Sequence, residues 1–284
     1  MTKGFKLSAI LLAAIIVSFF SSCQQSDFYK DDWKLGIQSY TFHRFSFQEA
    51  IDKTQQLGLD YIEVYYGQKL GDDIEGVMDF KMDKTTQEKI LDYARSKGVS
   101  IIASGVVVPE DEEEWDQLFK FARDMGIKFI TCEPKYEHLK YVDQLANEYN
   151  IDVAIHNHPK PSDYWNPDLF LKAVDGLSDR IGGCVDVGHW KRMGVDPLEG
   201  IQKYGNRVKL LHFKDIKEKE EGEEEQHDVI WGTGIIDMKG VLNELKKQKF
   251  KGLFSIEYEY NWDNSVPDIA ENIKYFNHLV NELD

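Results

Sequence analysis

The sequence predicts a single-domain (β/α)8 TIM barrel over residues 35–284. Three observations predict it: helical stretches alternate with short β-rich runs, the runs number eight, and most of them are continuously apolar. Such alternation implies parallel strands joined by crossover helices. Continuous apolar runs are what parallel strands need when helices cover them. Eight such units in about 260 residues suit one closed barrel. A doubly wound open sheet is the competing topology.

The elements follow in order. "LGIQSYTF" is the first strand run, and Ser46-x-x-Glu49 is a capping box that starts the first helix, "FQEAIDKTQQLG". "LDYIEVYYG" is the second strand. Thr85-x-x-Glu88 is expected to cap "TQEKILDYARSKG", which leads to "VSIIASGVVV". "EEEWDQLFKFARDMG" leads to "IKFITCEP", and "YVDQLANEYN" leads to "IDVAIHNHP". Gly58, Gly98 and Gly126 supply the left-handed residue that ends a helix at little cost. "RIGGCVDVGHW", "RVKLLHFKD" and "KGLFSIEYE" complete the eight. Between the last two, "DIKEKEEGEEEQHD" (Asp215 to Asp228) breaks the pattern and reads as a solvated acidic loop.

Residues 1–22 read as a secretory signal: Lys3 and Lys6 precede the apolar run "LSAILLAAIIVSFF", which is too short and wrongly flanked for a membrane span. "SSC" then resembles a bacterial lipobox, with Phe20 where Leu is more usual. Cys23 is accordingly the expected lipidation site, and residues 23–34 the tether. Gln24 after the cysteine favours outer-membrane sorting by resemblance to known lipoproteins, so the expected location is the periplasm or cell surface. From Cys23 onward, 32 basic residues face 50 acidic ones, a net charge of −18. That surface repels phosphate backbones and excludes nucleic acid as a partner. Cys132 and Cys184 lie in apolar runs and read as buried thiols, not a disulfide framework.

Barrel active sites form at the C-terminal ends of the strands. Strand 2 ends with Glu63 and Tyr65 on one face, and strand 4 offers Glu133. Strand 5 ends with His156 and His158, two residues apart and therefore on one face. Strand 6 offers Asp186, His189 and Trp190; strand 7, His212 and Lys214; strand 8, Glu257 and Glu259. Converging carboxylates without a cation would raise their pKa values and cost stability, and a divalent ion relieves that repulsion. His156, Asp186, His212 and Glu257 would make an N2O2 site suited to Mn, Co, Zn or Fe rather than Ca.

"DVGH" on strand 6, "HFKD" on strand 7, and "WGTGIIDMKGVLNELKKQKFKGLFSIEYE" running through Glu257 resemble the xylose isomerase-like superfamily. This group includes sugar isomerases and epimerases, inosose dehydratase and endonuclease IV. The resemblance implies a divalent metal held by Glu, Asp, His and Glu from strands 5 to 8, of which Asp186, His212 and Glu257 match the last three. Strand 5 departs from it, because "AIHNH" places His156 where relatives carry Glu. Either His156 replaces that ligand or Glu133 reaches in from the neighbouring strand; His156 occupies the matching position.

The resemblance implies a metal-dependent sugar isomerase or epimerase that removes a proton next to a carbonyl. The missing strand-5 carboxylate weakens a two-carboxylate epimerase and leaves isomerisation, or elimination on a keto-sugar or keto-glycoside, in play. Glu257, His158 and His189 are candidate acids and bases. Lys214 is a candidate to steady an oxyanion, or a salt-bridge partner of Asp186 or Glu257. Glu63 is a candidate to orient a water or a hydroxyl, or a structural group. Tyr65, Tyr66, Trp165, Trp190, Trp231 and Trp262 fall near the active face; Tyr65, Trp165, Trp190 and Trp231 are the candidate sugar-stacking residues. "WGTG" at Trp231 is weak as a phosphate loop, and the expected substrate is an unphosphorylated carbohydrate. A homodimer is compatible with this reading. The rivals are a non-catalytic sugar-binding lipoprotein and an endonuclease IV-like nuclease, which the −18 charge opposes.

Overall fold

In a computed structural model, residues 32–223 and 226–283 are described. The expected signal and the lipidation site Cys23 lie outside them. Among the described residues no helix is long and apolar enough to cross a membrane. Eight parallel strands close into a barrel: β1 (Trp33–Gln38), β2 (Tyr61–Val64), β3 (Ser100–Val107), β4 (Phe129–Cys132), β5 (Asp152–His156), β6 (Ile181–Asp186), β7 (Val208–Phe213) and β8 (Gly252–Ile256). Each strand pairs with its sequence neighbours, and β8 returns to β1. The open-sheet alternative is thereby excluded.

The helices are α1 (Phe47–Gln56), α2 (Lys84–Ser96), α3 (Glu112–Met125), α4 (Leu139–Tyr149), α5 (Pro167–Ala173), α6 (Val187–Arg192), α7 (Pro197–Tyr204), α8 (Met238–Lys247) and α9 (Val266–Asn281). The Ser46–Glu49 capping box of α1 forms in both directions. At α2 the expected cap shifts: Asp83 accepts the Thr86 N–H, and Thr85 lies inside the helix. A carboxylate two residues earlier competes well with a threonine for that first-turn amide. Gly126 ends α3 at φ +76°, its N–H bonded to Ala122 O.

Two details of β1 differ from expectation. The strand begins at Trp33, inside the expected tether, because the indole Nε1 donates to Phe250 O at 3.0 Å and the ring packs on Phe254. Its end is earlier too: Ser39–Phe42 form a 3-10 turn in which the Gln38 side chain accepts the Tyr40 N–H.

The core has two parts. The larger lies between strands and helices and includes Trp115, Phe119, Trp190, Phe213 and Phe254. The smaller fills the barrel interior with Ile102, Ala103, Ala154, Cys184, Leu210 and Leu253. Each large apolar side chain so buried contributes about 1.5–3 kcal/mol. Cys132 and Cys184 are buried free thiols; burial raises both, and Cys184 reaches about 12.

Candidate functional site

Strand alternation builds the site from the barrel plug. Ala154, Cys184 and Leu210 point into the barrel, and the next inward positions on β5, β6 and β7 are His156, Asp186 and His212. Asp186 and His212 stand in register on neighbouring strands. Glu257 follows directly after β8. One donor atom from each of His156, Asp186, His212 and Glu257 lies within 4.8 Å of the others, and all four side chains are buried.

Two of these atoms have no hydrogen-bond partner. Both ring nitrogens of His156 are buried without one, whereas Asp186 Oδ2 has the Lys214 ammonium 3.0 Å away and His212 Nδ1 has Glu257 Oε2 3.2 Å away. Polar atoms are rarely left so when buried, and a pair of them on one ring calls for an explanation such as an ion. The donor set, two imidazoles and two carboxylates, fits a divalent transition ion. Burial, with His158 beside it, lowers His156 to about 4, so its ring is neutral and free to donate a lone pair.

Groups behind the four hold them in place. Asn157 and Asp186 exchange two bonds: Asp186 N–H to Asn157 Oδ1 at 2.7 Å, and Asn157 Nδ2 to Asp186 O at 3.0 Å. Asp186 Oδ1 also accepts the His189 N–H at 2.6 Å, capping α6. Glu63 is fully buried, accepting from Thr131 Oγ1 at 2.7 Å and lying 3.2 Å from His212 Nε2. That contact fixes the His212 ring with Nδ1 turned towards Glu257 Oε2, 3.2 Å away. Glu63 therefore faces a ligand candidate and does not line the cavity, in keeping with the structural alternative for it.

Lys214 is completely buried. Its Nζ lies 2.7 Å from Glu257 Oε2, 3.0 Å from Asp186 Oδ2 and 2.5 Å from Glu259 Oε1. Burial opposes its charge, but Asp186, Glu257 and Glu259 outweigh that and hold its pKa well above the ordinary range. The salt-bridge alternative for Lys214 is the one the structure adopts, extended to three carboxylates.

Glu133 is not part of the four-residue cluster. Its Oε1 lies 2.6 Å from His158 Nδ1 and accepts the His158 N–H, and its Oε2 accepts from Ser162. Its oxygens thus hold the β5 end, with Oε1 also 3.5 Å from His156 Nδ1. His158 is 47% exposed at the side chain and lines a cavity of about 330 Å3 with Gln38, Tyr40, Tyr65, His189 and Glu257. Burial lowers its pKa, and the Glu133 contact more than reverses this. His189 and Glu259 also line a second cavity of about 480 Å3, with Arg192 and His227.

The aromatic expectations divide. Tyr65 lines the first cavity, edge-on to Tyr40, which in turn meets Trp262. Tyr40 escaped sequence reading because it sits in a turn whose path β1 alone does not reveal. Trp190 and Trp231 do not line either cavity: Trp190 packs under α7 against Tyr204, and Trp231 packs on Phe213 and Phe276. Trp165 is half-buried, stacked under Lys160 Nζ at 4.0 Å, and lines neither of these two cavities. We expect Trp231→Ala to destabilise the barrel by about 3–5 kcal/mol in denaturant unfolding. Carbohydrate affinity measured on the folded fraction should not change; a loss there would restore Trp231 to the binding surface.

The two ends of the acidic loop pair with each other. Asp215–Ile216 pairs with Asp228–Val229 as a short antiparallel ribbon. Buried Asp215 accepts N–H bonds from Gly232 and Gly234 on Oδ2 and from Ile236 on Oδ1. The amides a phosphate would need in "WGTG" are thus already occupied by a carboxylate.

The chain belongs to the xylose isomerase-like TIM barrel family, whose model matches residues 51–279. A curated relative, the inosose dehydratase of Lacticaseibacillus casei, is 21% identical over 257 residues, spanning 75% of this chain and 82% of that protein. Named members of the family thus include sugar-processing enzymes. Among solved structures, an uncharacterised protein from Parabacteroides distasonis is 38% identical with a TM-score of 0.71, covering 87% of this chain and 99% of that one. The crystal structure of the IOLI protein with a binding zinc atom superposes with a TM-score of 0.68 at 17% identity, covering 88% and 99%.

Proposed function

We propose that this chain is a divalent-metal-dependent enzyme that abstracts the proton next to a carbonyl of an unphosphorylated sugar or related cyclic ketone. One observation carries the reading: the unpartnered ring nitrogens of His156 converge with donor atoms of Asp186, His212 and Glu257 beneath a cavity walled by His158 and His189. An ion of the Mn, Co, Zn or Fe type held there supplies Lewis acidity, stabilising negative charge on substrate oxygen as the C–H bond breaks. The zinc in the IOLI structure supports an ion of this kind.

The residues do the rest. His158 gives Nδ1–H to Glu133, which leaves Nε2 to take the proton, and Glu133 steadies the imidazolium that forms. Tyr65 and Tyr40 offer ring faces to the C–H surface of the substrate. Occupation of the "WGTG" amides by Asp215 supports an unphosphorylated substrate. His156 stands where a second carboxylate would serve a two-sided epimerase. Elimination from the carbon beyond the carbanion is therefore the favoured outcome over epimerisation, and the dehydratase relative supports it.

The test is incubation of metal-loaded protein with a panel of keto-sugars, inososes and keto-glycosides in D2O, followed by NMR. Solvent deuterium should enter beside the carbonyl, and an unsaturated ketone should accumulate. A rearranged or epimeric sugar would assign isomerisation instead, and no exchange across the panel would leave a sugar-binding lipoprotein. Glu63→Gln should keep the Thr131 bond but weaken metal binding about 10- to 100-fold by releasing the His212 ring. Equal metal affinity in that variant would rule out the role given to Glu63. The expected lipid anchor is tested separately, by labelling with a radioactive fatty acid in wild type and Cys23→Ala.

A further inference from the structure

We propose that Lys214 is a built-in counter-cation that competes with the divalent ion for Asp186 and Glu257, and that Glu259 is the carboxylate onto which it withdraws. The inference rests on the metal-binding reading above and concerns what sets the strength of that binding.

Two carboxylates facing each other in a buried site repel and lose hydration, so the fold needs a cation between them. Lys214 supplies one. Its Nζ touches Glu257 Oε2 at 2.7 Å and Asp186 Oδ2 at 3.0 Å, and both residues belong to the four-residue donor set. An ion bound to those carboxylates would meet an ammonium at bonding distance from the same oxygens. Like charges so close repel strongly where water is excluded. Either the ion stays out or the ammonium moves.

The surroundings say where it moves. The third contact, Glu259 Oε1 at 2.5 Å, lies outside the donor set. Glu259 has 27% of its side chain exposed and lines both cavities. Its backbone is anchored, because its N–H donates to Asp228 Oδ2 at 2.9 Å while Asp228 Oδ1 pairs with Arg192 at 2.7 Å. The stem of Lys214 passes over Gly188, where any Cβ would come within 2.7 Å of Lys214 Cγ and Cδ. Glycine there leaves the stem its room. Metal loading would accordingly shift the ammonium to the cavity wall, still paired with Glu259 and within reach of substrate oxygens.

The test is calorimetric titration of chelator-stripped protein with Mn2+ and Zn2+. Lys214→Met should bind at least about ten-fold more tightly than wild type, or about 1.4 kcal/mol. Metal-free Lys214→Met should also unfold at a lower temperature, and metal should restore more of its stability than of the wild type's. Glu259→Gln should weaken binding, since Lys214 then has only the ligand carboxylates to rest on. In the double variant the Glu259 effect should vanish, because it acts through Lys214. Equal or weaker binding by Lys214→Met beside a wild type that binds metal overturns this inference alone. So does a Glu259→Gln effect of equal size in both backgrounds. Should neither wild type nor Lys214→Met bind metal, the metal reading falls and this inference with it; binding by Lys214→Met alone upholds it. If Lys214→Met does not fold, Glu259→Gln decides, and unchanged or tighter binding overturns the proposal.

Discussion

Asp186→Asn is expected to abolish metal binding and activity together while leaving the barrel folded. Elemental analysis of protein purified without chelator should find near-stoichiometric metal in wild type and little in the variant. The rate of deuterium exchange should fall by several kcal/mol of barrier, about 10^3-fold or more, because the Lewis acid leaves with its ligand. The choice of Asn matters. Asp186 Oδ1 caps α6 by accepting the His189 N–H, and an Asn carbonyl can still do so. Lys214 also keeps Glu257 and Glu259. Asp186→Ala removes cap and charge together and should cost more stability, up to the roughly 3–5 kcal/mol seen when a buried ion pair loses one member. Absence of metal from both the wild type and Lys214→Met, each prepared without chelator, would sink the proposed centre.

His158→Ala should separate chemistry from metal binding. His158 touches Glu133 and lines the cavity but is outside the four-residue cluster, so metal content should stay at the wild-type level. Deuterium exchange should drop about 10^2- to 10^4-fold, the range general-base removal typically costs. Glu133→Gln should fall between the two, since it leaves the imidazole in place but removes the carboxylate that orients it. Full exchange activity in His158→Ala would move the base to another titratable group lining the cavity, His189, Glu257 or Glu259.

The barrel was legible in the sequence because its causes are local. Apolar runs of strand length, Ser46 and Glu49 at capping distance, and glycine at helix ends each act within a few residues. His156, Asp186, His212 and Glu257 were legible for a related reason. Once eight strands are counted, period two and the rule that barrel sites lie at strand ends select the same inward position on each. Resemblance to the family added to this by marking Asp186, His212 and Glu257. The Thr85 cap failed on a local competition, Asp83 against threonine, that two adjacent capping residues leave open.

What escaped sequence reading depends on contacts between distant parts of the chain. Glu63 reaches His212 across 149 residues, and Lys214 reaches Glu259 across 45. Whether each side chain faces the cavity or a ligand is decided by barrel closure and the register of neighbouring strands. Trp190 and Trp231 sit close to strand ends, as substrate-stacking residues would, yet the paths of α6 and the loop before α8 turn them into the core. By itself the sequence determined the barrel and the donor types at its strand ends, because periodicity and local capping act over short distances. Only the tertiary structure decided that Lys214 sits among three carboxylates, that Glu133 serves His158 and that Asp215 fills the glycine loop, because each is a balance of buried charge that exists only once the strands have closed.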